Sequence, residues 1–368
     1  MSEPYRFYAA EVSYFSAKVR PALRAKGVPF EEIAPTPDVY RQVIVPRTGL
    51  AFIPVIVTPD DATLQDTSDI LDELERRFPE PALYPTSPVQ RVVAFLLEIY
   101  ADEFLMLPAM HYRWSFPESE VQARRDFASL GGDAERASRF ADRMQRSLPL
   151  LGVVPASQPA IEAHLAELLA VLSDQFAAHE YLLGSRLSLA DCALLGPLYA
   201  HLYLDAVPGR LLRETAPRVC AWIERANAGG DRGTGAFLPD DALAPTLRPL
   251  LELVGRDAAP LLLDTLRALE DWADANAEPG ATPPRAVGFH ETCLRGARFS
   301  RYTSPYTLWM AQRVWDAQRA LDARERAAVD AALAGTGLER LLAAGSRHRL
   351  GKRGFQLVFE PPAAKARA

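Results

Sequence analysis

A proline-punctuated stretch at residues 79–88, with the sequence PEPALYPTSP, divides this chain of 368 residues into parts of different pattern. Proline fixes φ and lacks a backbone N–H, so four prolines in these ten residues exclude a continuous helix or strand there. Before the linker, strand-like and helical stretches alternate, whereas everything from there to residue 228 has a helical pattern. We therefore predict an α/β domain over 1–84 and an all-helical domain over 89–228.

The first domain contains short elements in an α/β order. The predicted elements are a strand at 5–11, a helix at 13–27, a strand at 28–35, two short strands within 51–68, and a helix over DILDELERRFP. Gly27 is a natural residue at a helix C-terminus, whereas Pro21 should kink the first helix because it removes one backbone hydrogen bond. Ile70, Leu71 and Leu74 share one face of the last helix, which is therefore amphipathic. This order predicts a compact α/β unit.

A glycine-rich segment at 228–235 (AGGDRGTG) ends the helical domain, and a third, mostly helical unit is predicted over 229–368. Within it, residues 289–316 carry the β-branched and aromatic content of strands before the pattern turns helical. The same stretch contains a basic and aromatic cluster that would hold an anionic ligand, cover an active-site mouth, or form a surface between domains: Arg298, Arg301, Tyr302, Tyr306, Trp309 and Arg313. The tail PPAAKARA has no apolar anchor, and we expect it to be disordered.

Charge, apolar content and the spacing of cysteine and histidine exclude several classes of function. The formal net charge of −6 does not favour binding to nucleic acid or to an anionic membrane surface. No apolar run approaches the ~18 residues that a membrane span needs. The three cysteines form no C-x-x-C pair and the six histidines no H-x-x-x-H spacing, which argues against a disulfide framework or a metal site. Since no signal-peptide pattern is present, we expect a cytoplasmic, reduced, metal-free protein.

Three motifs occur in a fixed order along the first 228 residues. They are Y-x-x-x-x-S-x-x-S-x-K-V-R-x-A-L-x-x-K-G at 8–27, an Ile-Pro-Val followed by L-x-D-T-x-x-I at 64–70, and S-L-A-D-C-A-L at 188–194. With the change of domain between them, the chain resembles the glutathione S-transferases over roughly residues 1–228. The resemblance implies a thioredoxin-like N-terminal domain, an all-helical C-terminal domain and glutathione as co-substrate. Ser188 and Asp191 also fit a helix-capping box, to which we assign no catalytic role.

Ser13 is the residue to which the resemblance assigns catalysis. Ser13-Tyr14-Phe15-Ser16 stands where thioredoxin-like proteins carry C-x-x-C, and two serines cannot perform thiol–disulfide exchange. In serine-type transferases, which this arrangement resembles, the hydroxyl donates a hydrogen bond to the glutathione thiolate, and the helix N-terminus favours the same anion. The alternative is that Ser13 only caps the helix. Tyr8, at the end of the first strand, is the second candidate donor, by analogy with tyrosine-type transferases.

Five further positions resemble those that hold glutathione. Ile53-Pro54 resembles the cis-proline turn of the family, whose backbone pairs with the extended tripeptide. Asp66 and Thr67 stand where the family has Glu or Gln followed by Ser. They imply a carboxylate for the γ-glutamyl ammonium and a hydroxyl and N–H for its carboxylate, although both would also serve as helix caps. The Asn-Pro-x-Gly-Lys often found before the cis-proline is absent, and Arg47 is the only obvious cation near that position.

The helix after the linker lines the electrophile pocket in proteins of this family. In this chain the candidate pocket residues are Tyr100, Phe104, His111, Arg113 and Trp114. The Arg113-Trp114 pair is the most suggestive, because a cation beside an aromatic ring suits an anionic or conjugated substrate. The alternative is that these residues are core, and His111 fits a hydrogen-bonded structural histidine better than a base.

The predicted function is that of a cytosolic, homodimeric glutathione transferase that adds the glutathione thiolate to a small hydrophobic electrophile. A variant that uses glutathione to isomerise a double bond or displace halide stays open. A transferase-like binding module without turnover also stays open, because the extension at 229–368 would cover the face through which family members dimerise or cap the active site. The sequence does not name the substrate.

Overall fold

The computed structural model describes residues 3–131, 134–230 and 234–361. The strands are β1 (Tyr5–Tyr8), β2 (Phe30–Ile33), β3 (Val55–Val57), β4 (Thr63–Gln65), β5 (Phe289–Leu294), β6 (Ala297–Tyr302), β7 (Leu350–Arg353) and β8 (Gln356–Phe359). The α-helices are α1 (Tyr14–Ala25), α2 (Pro37–Val39), α3 (Val45–Thr48), α4 (Thr67–Arg77), α5 (Pro88–Ile99), α6 (Met106–Trp114), α7 (Pro117–Ser129), α8 (Ala134–Arg146), α9 (Leu148–Leu151), α10 (Gln158–Ala178), α11 (Leu189–Pro197), α12 (Ala206–Thr215), α13 (Pro217–Asn227), α14 (Arg248–Leu253), α15 (Ala259–Asn276), α16 (Pro305–Arg319), α17 (Ala323–Leu333) and α18 (Glu339–Ala343). No helix in these ranges is both long and apolar enough to cross a bilayer.

The N-terminal domain is built on a four-stranded mixed sheet with the order β2-β1-β3-β4. β1 runs parallel to β2, with Tyr5 opposite Phe30, and antiparallel to β3, with Phe7 opposite Ile56. Because successive side chains of a strand point to opposite faces, Phe7 and Ile56 join the main core with α1 and α4, while Tyr8 lies in a separate apolar cluster. The predicted thioredoxin-like domain is confirmed.

α1 begins and ends at the residues that the sequence predicts. Ser13 is its N-cap, with φ −87° and ψ 123°, and the Ser13 Oγ accepts a hydrogen bond from the Ser16 N–H at 3.3 Å. Gly27 follows the helix with a φ of 62°, a left-handed conformation that glycine adopts without steric cost. Pro21 lies inside α1, which continues across it to Ala25.

The helices α5 to α13 form the predicted all-helical domain, and a buried capping box fixes one of them. The Ser188 Oγ accepts from the Asp191 N–H, and the Asp191 carboxylate accepts from the Ser188 N–H at 2.9 Å, as the S-x-x-D spacing predicts. Asp191 also accepts from the Leu182 N–H and the Trp222 Nε1–H. Burial raises the pKa of its carboxyl to about 6. Asp191 therefore joins α11 to α13 and to the loop before α11.

The extension consists of the helices α14 to α18 and two antiparallel hairpins, β5–β6 and β7–β8. The first hairpin and α16 agree with the predicted change from strand to helix within 289–316, whereas the sequence pattern does not predict the second hairpin. α16 and α17 pack against α5, so the extension lies on the helical domain. The expectation of disorder for the tail falls on 362–368, outside the described residues.

A buried chain of hydrogen bonds joins the extension to the helical domain. The Tyr100 hydroxyl lies 2.7 Å from His164 Nε2, and His164 Nδ1 lies 2.8 Å from Asp257 Oδ2. Arg295, between β5 and β6, donates to the same Asp257 oxygen at 2.7 Å. Burial lowers the pKa of His164 and raises that of Tyr100, so both groups stay neutral at neutral pH. These hydrogen bonds tie α10 to the segment that precedes α15.

Candidate active-site cleft

A cleft of about 910 Å³ opens between the N-terminal domain and the helical domain. Its volume is in the range of small-molecule sites, which measure roughly 300–1,000 Å³. The N-terminal domain contributes the start of α1, the segment around α2 and the loop before β3; the helical domain contributes α6, α7 and α8. The residues that line it include Ser13, Tyr40, Arg41, Val45, Ile53, Met110, Arg113, Trp114, Phe127, Arg136, Arg139, Phe140, Arg143, Met144 and Arg146.

Ser13 lies at the point where α1 meets this cleft, and its side chain is half-buried. The hydrogen bond from the Ser16 N–H uses an acceptor position of the Ser13 oxygen. That bond leaves the hydroxyl proton free to donate, because a serine hydroxyl is both donor and acceptor. Helix capping and donation into the cleft are therefore compatible at Ser13.

The Ile53-Pro54 peptide bond is cis, as the sequence predicts. Ile53 lines the cleft, and Val55 begins β3 opposite Tyr8 of β1. Among the described residues, neither the N–H nor the C=O of Ile53 takes part in a backbone hydrogen bond. Both groups are therefore available to an extended ligand that would pair with them as a strand does.

Asp66 and Thr67 lie at the start of α4 and are not among the residues that line the cleft. Asp66 is the N-cap, with a φ of 78°, and its Oδ1 accepts from the Ser68 N–H at 3.0 Å and from the Ser68 hydroxyl at 2.7 Å. Thr67 is buried. The capping role that the sequence allows for Asp66 is present.

The extension contacts the same carboxylate. The Tyr306 hydroxyl donates to Asp66 Oδ1 at 2.9 Å, and the Lys352 ammonium lies 3.1 Å from Asp66 Oδ2 and 2.7 Å from Asp69. Lys352 also lies over the Trp309 ring, 4.4 Å from its centroid. Burial acts to raise the pKa of Asp66, but Lys352 and these hydrogen bonds bring it below its ordinary value. Asp66 is therefore an anion with a cation already beside it.

Three members of the basic and aromatic cluster of the extension, Tyr306, Trp309 and Arg313, contact the other domains. Besides Tyr306 and Trp309, Arg313 donates to both oxygens of Asp72 on α4, at 2.7 and 2.9 Å, and to Glu98 on α5. Of the three interpretations that the sequence leaves open for this cluster, these contacts match the interdomain one.

Arg47 and Tyr8 are two further predicted site residues that lie away from the cleft. Arg47 donates to Asp61 at 2.7 Å and to Thr63 at 3.1 Å, so its guanidinium is engaged on the N-terminal domain. Tyr8 is buried with Ile44 and Val55 in the smaller apolar cluster. Neither is among the lining residues.

Of the five candidate pocket residues, Arg113 and Trp114 line the cleft. Both side chains are buried, and Arg113 forms a bidentate pair with Asp205, with both bonds at 2.8 Å. Its third nitrogen donates to the Val12 carbonyl at 3.0 Å, immediately before Ser13. Arg113 thus holds the backbone that carries Ser13, and its charge is balanced within the protein.

The other three candidates lie in the core rather than in the cleft. Tyr100 and Phe104 are fully buried and stack on each other with ring centroids 5.6 Å apart. His111 Nδ1 lies 2.9 Å from the Ser115 hydroxyl, and its Nε2 lies 2.9 Å from Glu162. His111 is therefore a hydrogen-bonded structural histidine, and Tyr100 and Phe104 are aromatic core residues.

Sequence reasoning missed the basic face of α8. Arg136, Arg139, Arg143 and Arg146 all line the cleft, and their spacing of three, four and three residues puts them on one side of a helix. Tyr40 lies on the opposite wall: burial raises its pKa, while Arg136 and Arg143 act to lower it. The spacing in RASRFADRMQR was the available signal.

In the part of the chain that the structure describes, one group of side chains has the donor types of a metal site. Ligand atoms of Glu270, Asp274 and His348 lie within 4.8 Å of one another in the extension. Arg347 already pairs with both carboxylates, at 2.8 Å to Glu270 and 2.5 Å to Asp274. Because this guanidinium balances their charge, the group is a poor candidate for a metal.

The protein thus consists of a thioredoxin-like domain followed by an all-helical domain, with a cleft between them. Two family models match the chain: "Glutathione S-transferase, N-terminal domain" over residues 7–82 and "Glutathione S-transferase, C-terminal domain" over residues 153–229. Residues 7–82 and 153–229 thus match the two domains of a glutathione S-transferase in the family's order, and the chain continues beyond the second match.

Similar solved structures include a glutathione S-transferase from Rhodospirillum rubrum, with 20% identity, 67% of this chain and 91% of that chain covered, and a TM-score of 0.42. A beta-etherase from Sphingobium has 17% identity, 68% and 99% coverage, and a TM-score of 0.43. A transferase from Methylobacterium radiotolerans in complex with glutathione sulfonate has 22% identity, 66% and 100% coverage, and a TM-score of 0.39. The comparison with curated proteins gives no match. Similarity at this level carries no information on the reaction.

Proposed function

We propose that this protein binds glutathione in the cleft beside Ser13 and adds its thiolate to a small hydrophobic electrophile. The observation that carries the proposal is the position of Ser13, whose hydroxyl lies at the N-terminus of α1 in the same cleft as Ile53, a residue whose backbone forms no backbone hydrogen bond within the described ranges. An isomerase or dehalogenase variant would use the same thiolate. The homodimer and the cytoplasmic location stay predictions.

The role of Ser13 follows from thiol chemistry. The thiolate is the nucleophile, and a thiol with an ordinary pKa of about 8.5 is mostly protonated at neutral pH. A hydroxyl that donates to the sulfur and the partial positive charge of the α1 N-terminus both favour the anion. Each unit by which they lower the pKa corresponds to about 1.4 kcal/mol. The thiolate then forms the C–S bond while an aryl halide loses its halide, an epoxide opens a C–O bond and takes up a proton, or an enone breaks its C=C π bond and takes up a proton.

Recognition of the tripeptide would use Ile53 and Asp66. The backbone of Ile53 would pair with the cysteinyl part, and the Asp66 carboxylate would hold the γ-glutamyl ammonium. Lys352 competes for that carboxylate. Because Lys352 lies closer to Asp69, at 2.7 Å, than to Asp66, at 3.1 Å, it keeps an anionic partner when glutathione takes Asp66 Oδ2.

A binding module without turnover is the second candidate, and one contact favours it. Lys352 supplies Asp66 with a cation and Tyr306 supplies it with a hydroxyl donor, so the carboxylate is satisfied with no ligand present. In this function the cleft would hold a ligand without the γ-glutamyl contact.

Thermal unfolding with glutathione tests the proposal. A ligand at about 100 times its Kd stabilises the native state by about 2.7 kcal/mol, so millimolar glutathione should raise the Tm by several degrees. S-methylglutathione, which has no ionisable thiol, is the control for tripeptide recognition alone. No rise with either compound overturns glutathione binding. A rise without turnover of aryl halides, epoxides and enones supports the binding module.

A further inference from the structure

Five lysine and arginine side chains are buried in the part of the chain that the structure describes. Four of them lie beside a carboxylate: Lys18 beside Glu98 and Asp102, Arg20 beside Glu32, Lys26 beside Glu75, and Arg113 beside Asp205. The fifth, Arg301, forms no ion pair with any described residue. Because burial of an unpaired charge costs free energy, Arg301 lowers the stability of the native chain unless an anion balances it.

The Arg301 guanidinium also has unused hydrogen-bond donors. Arg301 is only 5% exposed, and its Nε and Nη1 atoms are buried without a hydrogen-bond partner among the described residues. Burial lowers the pKa of Arg301, but a guanidinium keeps its charge in proteins. Buried donors of this kind are rare in native structures, and a bound ion is one of the partners that satisfy them.

Arg301 lies where β6 packs on the helical domain. Phe299 and Arg301 are buried on one face of β6, and the residues that alternate with them are exposed on the other. Gly152, which follows α9 with a φ of 91°, approaches the buried face closely. A Cβ at this glycine would lie 2.5 Å from the Phe299 ring and 3.3 Å from Arg301 Cβ. Arg301 is therefore enclosed between the extension and the helical domain.

The groups around Arg301 leave an excess of positive charge. Burial and the Glu103 carboxylate raise the pKa of Tyr302, the next residue in β6. Arg301 and Arg285 act to lower it, so both guanidinium groups lie near the Tyr302 hydroxyl. Arg285 is exposed and forms no ion pair within the described ranges. Glu103 is one carboxylate against these two cations, and it already accepts a hydrogen bond from the Thr307 hydroxyl at 2.5 Å.

We propose that this junction binds a small oxyanion, either inorganic phosphate or the phosphate or carboxylate group of a small molecule, through the Arg301 guanidinium. The planar guanidinium donates to two oxygens of such a group at once. The sequence leaves an anionic ligand open for the basic and aromatic cluster, and Arg301 is the member of that cluster to which this interpretation applies. Neither Ser13 nor Asp66 takes part, so the site does not rest on the proposed function.

Thermal unfolding of the full chain at constant ionic strength tests the proposal. Sodium phosphate, sodium acetate and sodium chloride are the three probes. At about ten times its Kd, an oxyanion should raise the Tm by about 2 to 4 °C relative to chloride, and the rise should saturate. A rise with phosphate assigns the site to a phosphate group, and a rise with acetate alone assigns it to a carboxylate.

Arg301→Met removes the charge and keeps an unbranched side chain. This variant should lose the oxyanion-dependent rise. Its Tm without oxyanion should equal or exceed that of the parent protein, because no unpaired charge is then buried. Arg298→Met is the matched control, since Arg298 is exposed on the other face of the same strand, and it should keep the full rise.

Two further variants keep the test decisive if Arg301→Met does not fold. Arg301→Lys keeps the charge without the planar fork and should reduce the rise by about half or more. Glu103→Gln keeps an acceptor for Thr307 but removes the carboxylate that acts on Arg301, so it should enlarge the rise.

Equal rises in the parent protein and in Arg301→Met, which general exclusion of salt from the protein surface would produce, overturn the proposal. A chloride effect as large as that of both oxyanions, or no rise with any of the three, does the same. Glutathione binding is tested separately on Arg301→Met, in which this site is absent.

Discussion

The two ends of the predicted glutathione site differ in what covers them. At one end, Ser13 and Ile53 line an open cleft. At the other, Asp66 is capped by the chain's own extension, through the Lys352 ammonium and the Tyr306 hydroxyl. The end at Ser13, where the thiolate would react, is accessible. The end at Asp66, which would bind the γ-glutamyl ammonium, already has a cationic partner.

In the family motifs, the residue that would activate the thiol and the residue that would hold the γ-glutamyl ammonium occur together. In this chain the two differ in what contacts them. Ser13 lies at the start of α1, and its hydroxyl proton remains able to donate. The Asp66 end keeps its capping geometry and its negative charge, but residues about 240 to 286 positions later in the chain have taken its outward contacts. Reaction and recognition can therefore be tested at separate residues.

The largest expected effect is at the open end. Arg113→Met leaves Asp205 buried without its cation and frees the Val12 carbonyl, so the free energy of unfolding should fall by about 3 to 5 kcal/mol. Chemical denaturation measures it. Arg210→Met is the control, because the Arg210–Glu118 pair is exposed and its loss should leave stability nearly unchanged. Equal losses in the two variants would show that Arg113 does not hold this end.

Ser13→Ala comes next. Loss of a donor to a developing or bound anion costs about 100-fold in turnover, and the pKa of the bound glutathione thiol should rise toward its free value. Steady-state rates and the ultraviolet absorbance of the thiolate against pH measure both. Ser13→Thr keeps a hydroxyl and should recover much of the rate. An unchanged rate in Ser13→Ala would show that the Ser13 hydroxyl is not the donor to the thiolate.

At the covered end, Lys352→Met should tighten glutathione binding about fivefold, equivalent to about 1 kcal/mol, because Asp66 loses its competing cation. Calorimetric titration gives the Kd, and Lys352→Arg, which keeps the charge, should behave like the parent protein. Weaker binding in Lys352→Met would mean that Lys352 contacts the ligand itself, through the γ-glutamyl carboxylate.

A pH-dependent effect is expected in the extension that covers Asp66. His290 lies between the Thr265 and Thr303 hydroxyls, at 3.1 and 2.9 Å, and burial, with Arg301 nearby, lowers its pKa to about 4. The unfolded chain binds a proton near pH 6.5 and the native chain near pH 4, so this contribution to stability is lost as pH falls between those values. Denaturation at pH 7.5 and 5 should show a smaller pH difference in His290→Gln. An equal difference would exclude this role.

Local features of the chain could be predicted from the sequence. The cap at Ser13 and the Ser188 capping box depend on neighbours a few residues away, so short motifs predict them. The cis Ile53-Pro54 bond is instead an expectation from the resemblance to the glutathione S-transferases. The split into an α/β and a helical domain follows from the change of periodicity at the proline linker.

Long-range contacts could not be predicted in the same way. Nothing near Asp66 indicates that Lys352 and Tyr306 will reach it, because that contact depends on how the extension packs. His111 and Phe104 are core residues because α10 closes over them, which one helix's periodicity does not show. The arginine spacing on α8 could be recognised in the sequence. That these arginines face the cleft could not, because it depends on how α7 and α8 pack.

The hydrogen-bond chain from Tyr100 through His164 to Asp257 limits how Asp66 can be uncovered. It fixes the body of the extension to the helical domain, so a swing of the whole unit would break a buried network. Lys352 instead lies on β7, at the edge of a two-stranded hairpin. A ligand that pairs with Asp66 Oδ2 would therefore displace one ammonium group on a short ribbon rather than a folded domain, while Tyr306 on α16 keeps its hydrogen bond to Oδ1.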